Sequence, residues 1–222
     1  MLSPGGSSPR LAQISTVITP AKSYDLVDLD TVKGALDLKD NKADAFLKKA
    51  IGFVSAEIAQ FCNRVFPVET VEDDFWPARD PYPYQVPGGI SPLQLSRWPL
   101  VSVASVVENG DTQLVQDTDF RIDATRGQLI RLDGNLYPCL WAPWSIAVVF
   151  DAGFATIPPD VEDAAVRMVT GRYAARGRDP YKRQESIPGV REVQWWIPNT
   201  PTGNMPPDVQ DILDNYRVPV VA

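Results

Sequence analysis

Histidine is absent from all 222 residues, so the commonest general base and the commonest transition-metal ligand are both missing. Carboxylates gather at Glu72-Asp73-Asp74 and at Asp37, Asp40 and Asp44, but neither group has the loop glycine and ligand spacing of a calcium site. Both are expected to be solvated acidic faces. The two thiols, Cys62 in a helical pattern and Cys139 in a Pro/Trp-rich loop, share no ligand spacing and are expected to stay reduced. No glycine-rich phosphate loop, Ser/His/Asp set or Cys/His pair is present. The sequence points away from an enzyme: no catalytic residue, no metal and no cofactor is expected.

Two other groups have binding chemistry. Arg172, Arg176, Arg178, Lys182 and Arg183 are clustered in sequence, and adjacent Trp195 and Trp196 precede a Pro/Gly loop. Neighbouring residues of a strand face opposite ways, so at least one of the two indoles is expected to need a cover outside its own core. The net charge of −7 has the wrong sign for a surface that mainly grips phosphate. The longest apolar runs fall far short of the ~18 residues of a membrane-spanning helix, so no membrane partner is expected. The Ser/Gly/Pro-rich start does not read as a secretory signal, which makes a cytoplasmic site of synthesis the default.

The elements that must position these groups change period along the chain. Residues 1–23 read as a flexible arm whose apolar run, Ile14 to Ile18, could pair as an edge strand on a neighbour. Asp28 or Asp30 can cap a short helix carrying Leu29, Val32 and Leu36. Phe46, Leu47, Ala50, Ile51, Val54, Ile58 and Phe61 then recur at helical spacing, predicting a helix from Asn41 to Cys62. From Val65 prolines break the helical pattern, and Asn109-Gly110 marks a type I′ hairpin among several strands. Pro158-Pro159-Asp160 restarts a helix with Val161, Ala164, Ala165, Met168, Val169 and Tyr173 on one stripe, to about Arg176. A loop from Gly177 to Pro188, a strand from Val190 to Ile197 and a terminal helix from Pro207 to Arg217 follow. The fold class is α+β: a small helical bundle, with two long helices and short N- and C-terminal ones, carrying an inserted antiparallel β-rich subdomain. The boundaries are an arm at 1–23, helices at 24–64, the β insertion at 65–153, helix at 154–178, and a loop, strand and docking helix at 179–222.

Four phrases in this order carry a resemblance. They are Leu29-Asp30-Thr31-Val32-Lys33 with Leu36 and then Asn41, Asp44 and Leu47; Arg97-Trp98-Pro99-Leu100-Val101-Ser102-Val103; Val148 to Phe154 followed by Ile157-Pro158-Pro159-Asp160-Val161; and Pro206-Pro207-Asp208-Val209 to Leu213, Tyr216 and Arg217. Together they resemble the head-to-tail connector (adaptor) family of tailed double-stranded DNA bacteriophages and gene transfer agents. Asn41 departs from an Asp of the family pattern, and the arm and the Pro/aromatic stretch from Phe75 to Pro92 depart from its minimal form.

The resemblance implies a structural virion protein at the head-tail junction, assembled in the host cytoplasm. It implies a ring of identical copies, commonly 12, docked on the portal protein and facing a stopper or tail-completion protein, with DNA only in passage through the lumen. Trp195, Trp196, Ile212, Leu213, Tyr216, Arg217, Val218 and Val220 are the expected portal or neighbour contacts; Arg176, Arg178, Lys182 and Arg183 could face DNA. A helix packed back on its own bundle and a solvated basic loop are the plainer readings of the same residues. A stopper or tail-terminator subunit, or a β-domain carbohydrate or peptide binder using Phe75 to Trp98, remain as alternatives.

Overall fold

The structure is a computed structural model describing residues 11–77, 92–141, 144–177, 184–187, 191–194 and 205–218. It is mixed α/β, with four α-helices and antiparallel sheets among the described residues. The chain divides into two compact units, Met1–Lys22 with Pro67–Ala155 and Ser23–Phe66 with Thr156–Ala222.

The first unit is all β. Its strands are β1 (Leu11–Thr19), β2 (Glu69–Pro77), β3 (Leu93–Gln94), β4 (Leu100–Glu108), β5 (Thr112–Gln113), β6 (Phe120–Asp123), β7 (Gln128–Leu132), β8 (Pro138–Cys139) and β9 (Ile146–Ala152). A five-stranded antiparallel sheet runs β1-β2-β9-β4-β5; a smaller sheet runs β3-β7-β6, with β8 on β7. The period-2 pattern of β9 explains its place: Ile146, Val148, Phe150 and Ala152 are buried while the residues between them are half-exposed. Register puts Val71, Asp73 and Phe75 on that same inward face. Phe75, Leu95, Phe120, Leu129, Trp141 and Phe150 belong to one buried cluster. The indole of Trp141 donates to the Leu129 carbonyl at 3.1 Å, which satisfies its polar end inside the core.

One local signal is realised as the sequence predicts, and a second local constraint emerges from the structure. Asn109 and Gly110 both take positive φ, 56° and 83°, the combination a type I′ turn needs. Gly153 lies at φ 132°, and a Cβ there would overlap the Pro67 carbonyl and sit 2.8 Å from the Val68 Cα. Only glycine fits where the strand leaves the sheet.

The described part of the expected N-terminal arm is not free. It forms β1, laddered on β2 of the same chain from Leu11↔Pro77 to Thr19↔Thr70. Nine uncharged residues rich in β-branched side chains favour that pairing.

The second unit is mainly helical: α1 (Leu29–Ala35), α2 (Asp44–Cys62), α3 (Pro159–Ala174), a hairpin of β10 (Gln184–Ile187) and β11 (Arg191–Gln194), and α4 (Pro207–Leu213) continued by a 3-10 turn, Asp214–Tyr216. Asp28 caps α1, accepting from the Thr31 amide at 2.7 Å, and this hydrogen bond holds its carboxyl below the ordinary value. The helix expected from Asn41 begins at Asp44, because the Asn41 side chain is engaged by Lys33 and its carbonyl closes the preceding turn onto the Asp44 amide. Leu47, Ala50, Ile51, Val54 and Ile58 of the expected stripe are buried, Phe46 and Phe61 at its ends are half-buried, Cys62 is buried as well, and Asn63 ends the helix in the left-handed region at φ 48°. α3 ends two residues short of Arg176. It buries Val161, Ala164, Ala165, Met168 and Val169 and packs on α1, α2 and α4. β11 falls inside the strand expected over Val190 to Ile197, whereas β10 lies in the stretch expected as a loop, its four mostly polar residues being too short to announce a period. No described helix is long and apolar enough to cross a membrane.

Candidate interaction surfaces

The motif residues make contacts within each unit. Lys33 reaches from α1 to the start of α2, donating to Asn41 at 2.8 Å and Asp44 at 2.9 Å. Arg97 pairs with buried Glu69, and Ser102 and Thr70 each donate at 2.7 Å to Asp151. The Tyr216 hydroxyl donates to the Asp160 carboxylate at 2.7 Å. Burial, and then this bond to a carboxylate, pushes the Tyr216 hydroxyl up to about 12. Arg167 bridges Asp163 of its own helix, at 2.7 Å, and Asp208 of α4, at 3.1 Å. These phrases therefore encode folding contacts within each unit, while Val101 and Arg217 of the same phrases stay exposed.

The expected docking residues are distributed unevenly. Leu213 is fully buried beside Val209 in the core of its own unit, which corrects its reading as a free contact: α4 turns its apolar stripe onto α2 and α3. Its carbonyl lies 3.7 Å from the Cys62 thiol, which burial pushes up to about 11. Tyr216 tilts against Phe66 with ring centres 6.0 Å apart, and the Val218 amide donates to the Cys62 carbonyl at 2.9 Å. Arg217 is exposed, its guanidinium 5.2 Å from the Phe61 ring centre, and Ile212 is half-buried. Trp195, Trp196 and Val220 lie outside the described residues.

Of the basic group, Arg172 pairs with Glu57, and Arg176 sits over the rings of Tyr173, at 4.5 Å, and Phe46, at 5.7 Å. Arg178, Lys182 and Arg183 lie outside the described residues. Among the described residues no three His, Cys, Asp or Glu side chains are grouped as a metal would require.

The acidic run Glu72-Asp73-Asp74 is not one solvated face. Asp73 is fully buried and accepts from the Ser96 amide and hydroxyl, both at 2.7 Å, and from Gln13 at 3.0 Å. Alternation gives the reason, because Val71 and Phe75 point inward and the residue midway must follow them. Phe75 is itself core, so the alternative of a carbohydrate or peptide binder using the aromatic segment loses one of its platforms.

Exposed apolar side chains mark two places in the β unit. One is β1, where Ile14, Val17 and Ile18 are exposed. The other is the segment around β8, with Leu136, Tyr137, Leu140 and Trp144 all about half or more exposed. Sequence reading noted the first run and missed the second, although residues 134–146 carry no charge at all.

No family model matches the chain, and no curated protein matches it in sequence. Solved structures do. A chain in the neck of an empty gene transfer agent particle, computed with C6 symmetry, shares the fold at a TM-score of 0.51 and 15% identity, over 94% of this chain and 97% of that one. Chains from the neck of the native particle, computed with C12 symmetry, and from its virion give TM-scores of 0.49 and 0.48 at 16% and 14% identity, over the same shares. The fold is thus shared with a chain of a gene transfer agent neck. At this identity the likeness is one of fold.

Proposed function

We propose that the chain is a non-enzymatic structural subunit of a virion neck, a head-to-tail connector whose copies close into a ring on the portal protein and face a stopper or tail-completion protein. The observation that carries this reading is the fold shared across 94% of the chain with a neck protein of a gene transfer agent particle. The symmetric assembly from which that relative comes supports self-association, and the ordered motifs favour the adaptor position over that of the stopper or tail terminator. DNA touches the ring only in passage, and the acidic balance suits a wall along which DNA slides. The site of action is the head-tail junction, with assembly in the host cytoplasm.

Within this reading half-buried Ile212 and Val218 and exposed Arg217, in and after the terminal helix, face the portal or a neighbour, joined by Trp195, Trp196 and Val220. Arg176, Arg178, Lys182 and Arg183 are the candidates to line the lumen.

Negative-stain imaging of the purified protein, alone and mixed with the portal protein of the same genome, tests the proposal. Rings with a central opening, or an added layer on the portal, are expected. Monomers that leave the portal unchanged would count against it.

A further inference from the structure

Among the described residues the five-stranded sheet has an unpaired edge at each end. On one side β1 is bonded to β2 alone among the described residues. Its nine residues, Leu-Ala-Gln-Ile-Ser-Thr-Val-Ile-Thr, contain no charge and no proline, and Ile14 and Ile18 are 57% and 50% exposed. Edge strands are normally protected by charge, proline or a cover, and an uncharged β-branched run of this length is the composition that seeks a further strand.

On the opposite side β5 bonds only Val107 and Glu108 of β4. The Leu114 amide reaches the Val106 carbonyl, and the Leu100 amide reaches the Ala124 carbonyl. Between them Val101 to Ser105 has backbone bonds to β9 and to no other described element. This stretch, Val-Ser-Val-Ala-Ser, is also without charge, and Val101 is 53% exposed.

We propose that β1 of one copy pairs antiparallel with the free Val101 to Ser105 edge of β4 in the next copy, so that the sheets join head to tail around the ring. The inference rests on the ring reading above and names the contact that closes it. Three observations favour a second copy as the occupant. The two edges match in charge, since both are neutral, so the junction buries no unpaired ion. Their directions match as well. Three antiparallel steps separate β1 from β4, so the two strands run oppositely within a copy. Rotation about an axis along the strands preserves direction, and the β1 that arrives beside β4 then continues the antiparallel alternation. Finally, each copy offers one of each edge, the arrangement of a heterologous contact that propagates until it closes. The two bulges in β4, at Leu100/Ser102 and Val103/Ser105, bend that strand where a ring must turn from one sheet to the next.

Thr16 and Val101 are both exposed, so Thr16→Lys and Val101→Lys each place a charge on one edge without disturbing the core. Sedimentation velocity and negative stain of the full chain, alone and with the portal protein, would compare these variants with wild type and with Ala56→Lys, an exposed control on α2. Wild type and control are expected to form rings, and each edge variant to lose about tenfold or more of its ring population at an unchanged melting temperature. A mixture of Thr16→Cys copies with Ser102→Cys copies is expected to give mixed disulfide pairs on oxidation, a readout that does not depend on tolerance of the lysines. Wild-type rings that survive both lysines and give no mixed pairs would overturn the inference and leave the ring reading standing. Wild type that stays monomeric even with the portal would overturn both. Cross-links between Thr16→Cys copies alone would replace β4 by a second β1 and overturn the proposed partner.

Discussion

The two units bury polar groups in opposite ways. All three buried carboxylates among the described residues belong to the β unit: Glu69, Asp73 and Glu108. Each is held by a specific partner, respectively Arg97, the Ser96 and Gln13 pair, and Arg131 at 3.3 Å. The helical unit buries one described polar side chain, Ser55, which accepts from the Leu26 amide at 2.9 Å. Its ion pairs, Lys33 with Asp44, Arg172 with Glu57, and Arg167 with Asp163 and Asp208, stay at the rim. The difference follows from what each architecture leaves undetermined. A helix stripe specifies its own buried face, whereas a strand slipped by one residue reverses every side chain, and a buried carboxylate that fits only one partner set opposes the slip.

The most damaging substitution expected is Gly153→Val, which puts a Cβ into the Pro67 backbone at a φ that L-residues avoid. It should cost at least about 3 kcal/mol and be read as insoluble or unfolded protein. Glu69→Ala comes next: it leaves the Arg97 guanidinium partly buried without its carboxylate and should lower stability in urea by about 3 kcal/mol. Asp73→Asn keeps the shape but cannot accept all three hydrogen bonds as a carboxylate does. A loss of about 2 kcal/mol is expected, against about 1 kcal/mol for Ser55→Ala in the helical unit. Equal losses at the two positions would break the contrast between the units.

The smallest effect sharpens the contrast from the helical side. Tyr216 and Cys62 are both raised, to about 12 and about 11, so the folded state favours their neutral forms. Their contributions are complete below the ordinary thiol value of 9.0 and fall away as pH climbs through 9 to 12, because the unfolded chain ionises first. Tyr216→Phe should cost about 1 kcal/mol at neutral pH, from the lost bond to Asp160, and flatten the upper part of the alkaline decline in melting temperature. A wild-type melting temperature constant from pH 8 to 12 would remove this account of α4.

Much of the local structure was legible. The stripe of α2, the small-residue stripe of α3 and the Asn109-Gly110 turn are periodic or conformational signals contained in a few consecutive residues. Asp73 was legible too, had the alternation of Val71 and Phe75 been weighed above its acidic neighbours. The edge character of Ile14 to Ile18 was read from the sequence, but the open stretch of β4 was not, because which strand is left at an edge is known only once strand order is known.

By itself the sequence determined the long helices α2 and α3 and the β-rich middle of the chain, the lack of residues for common active-site chemistry, and the ordered phrases that resemble a connector. Tertiary structure alone decided what those phrases do. It set Lys33 on Asp44, placed Tyr216 on Asp160 across 56 residues, pressed Gly153 against Pro67 and turned Leu213 inward. Periodicity is a property of neighbours along the chain, whereas the partner of a side chain depends on which distant surfaces close against it, and only packing chooses among them.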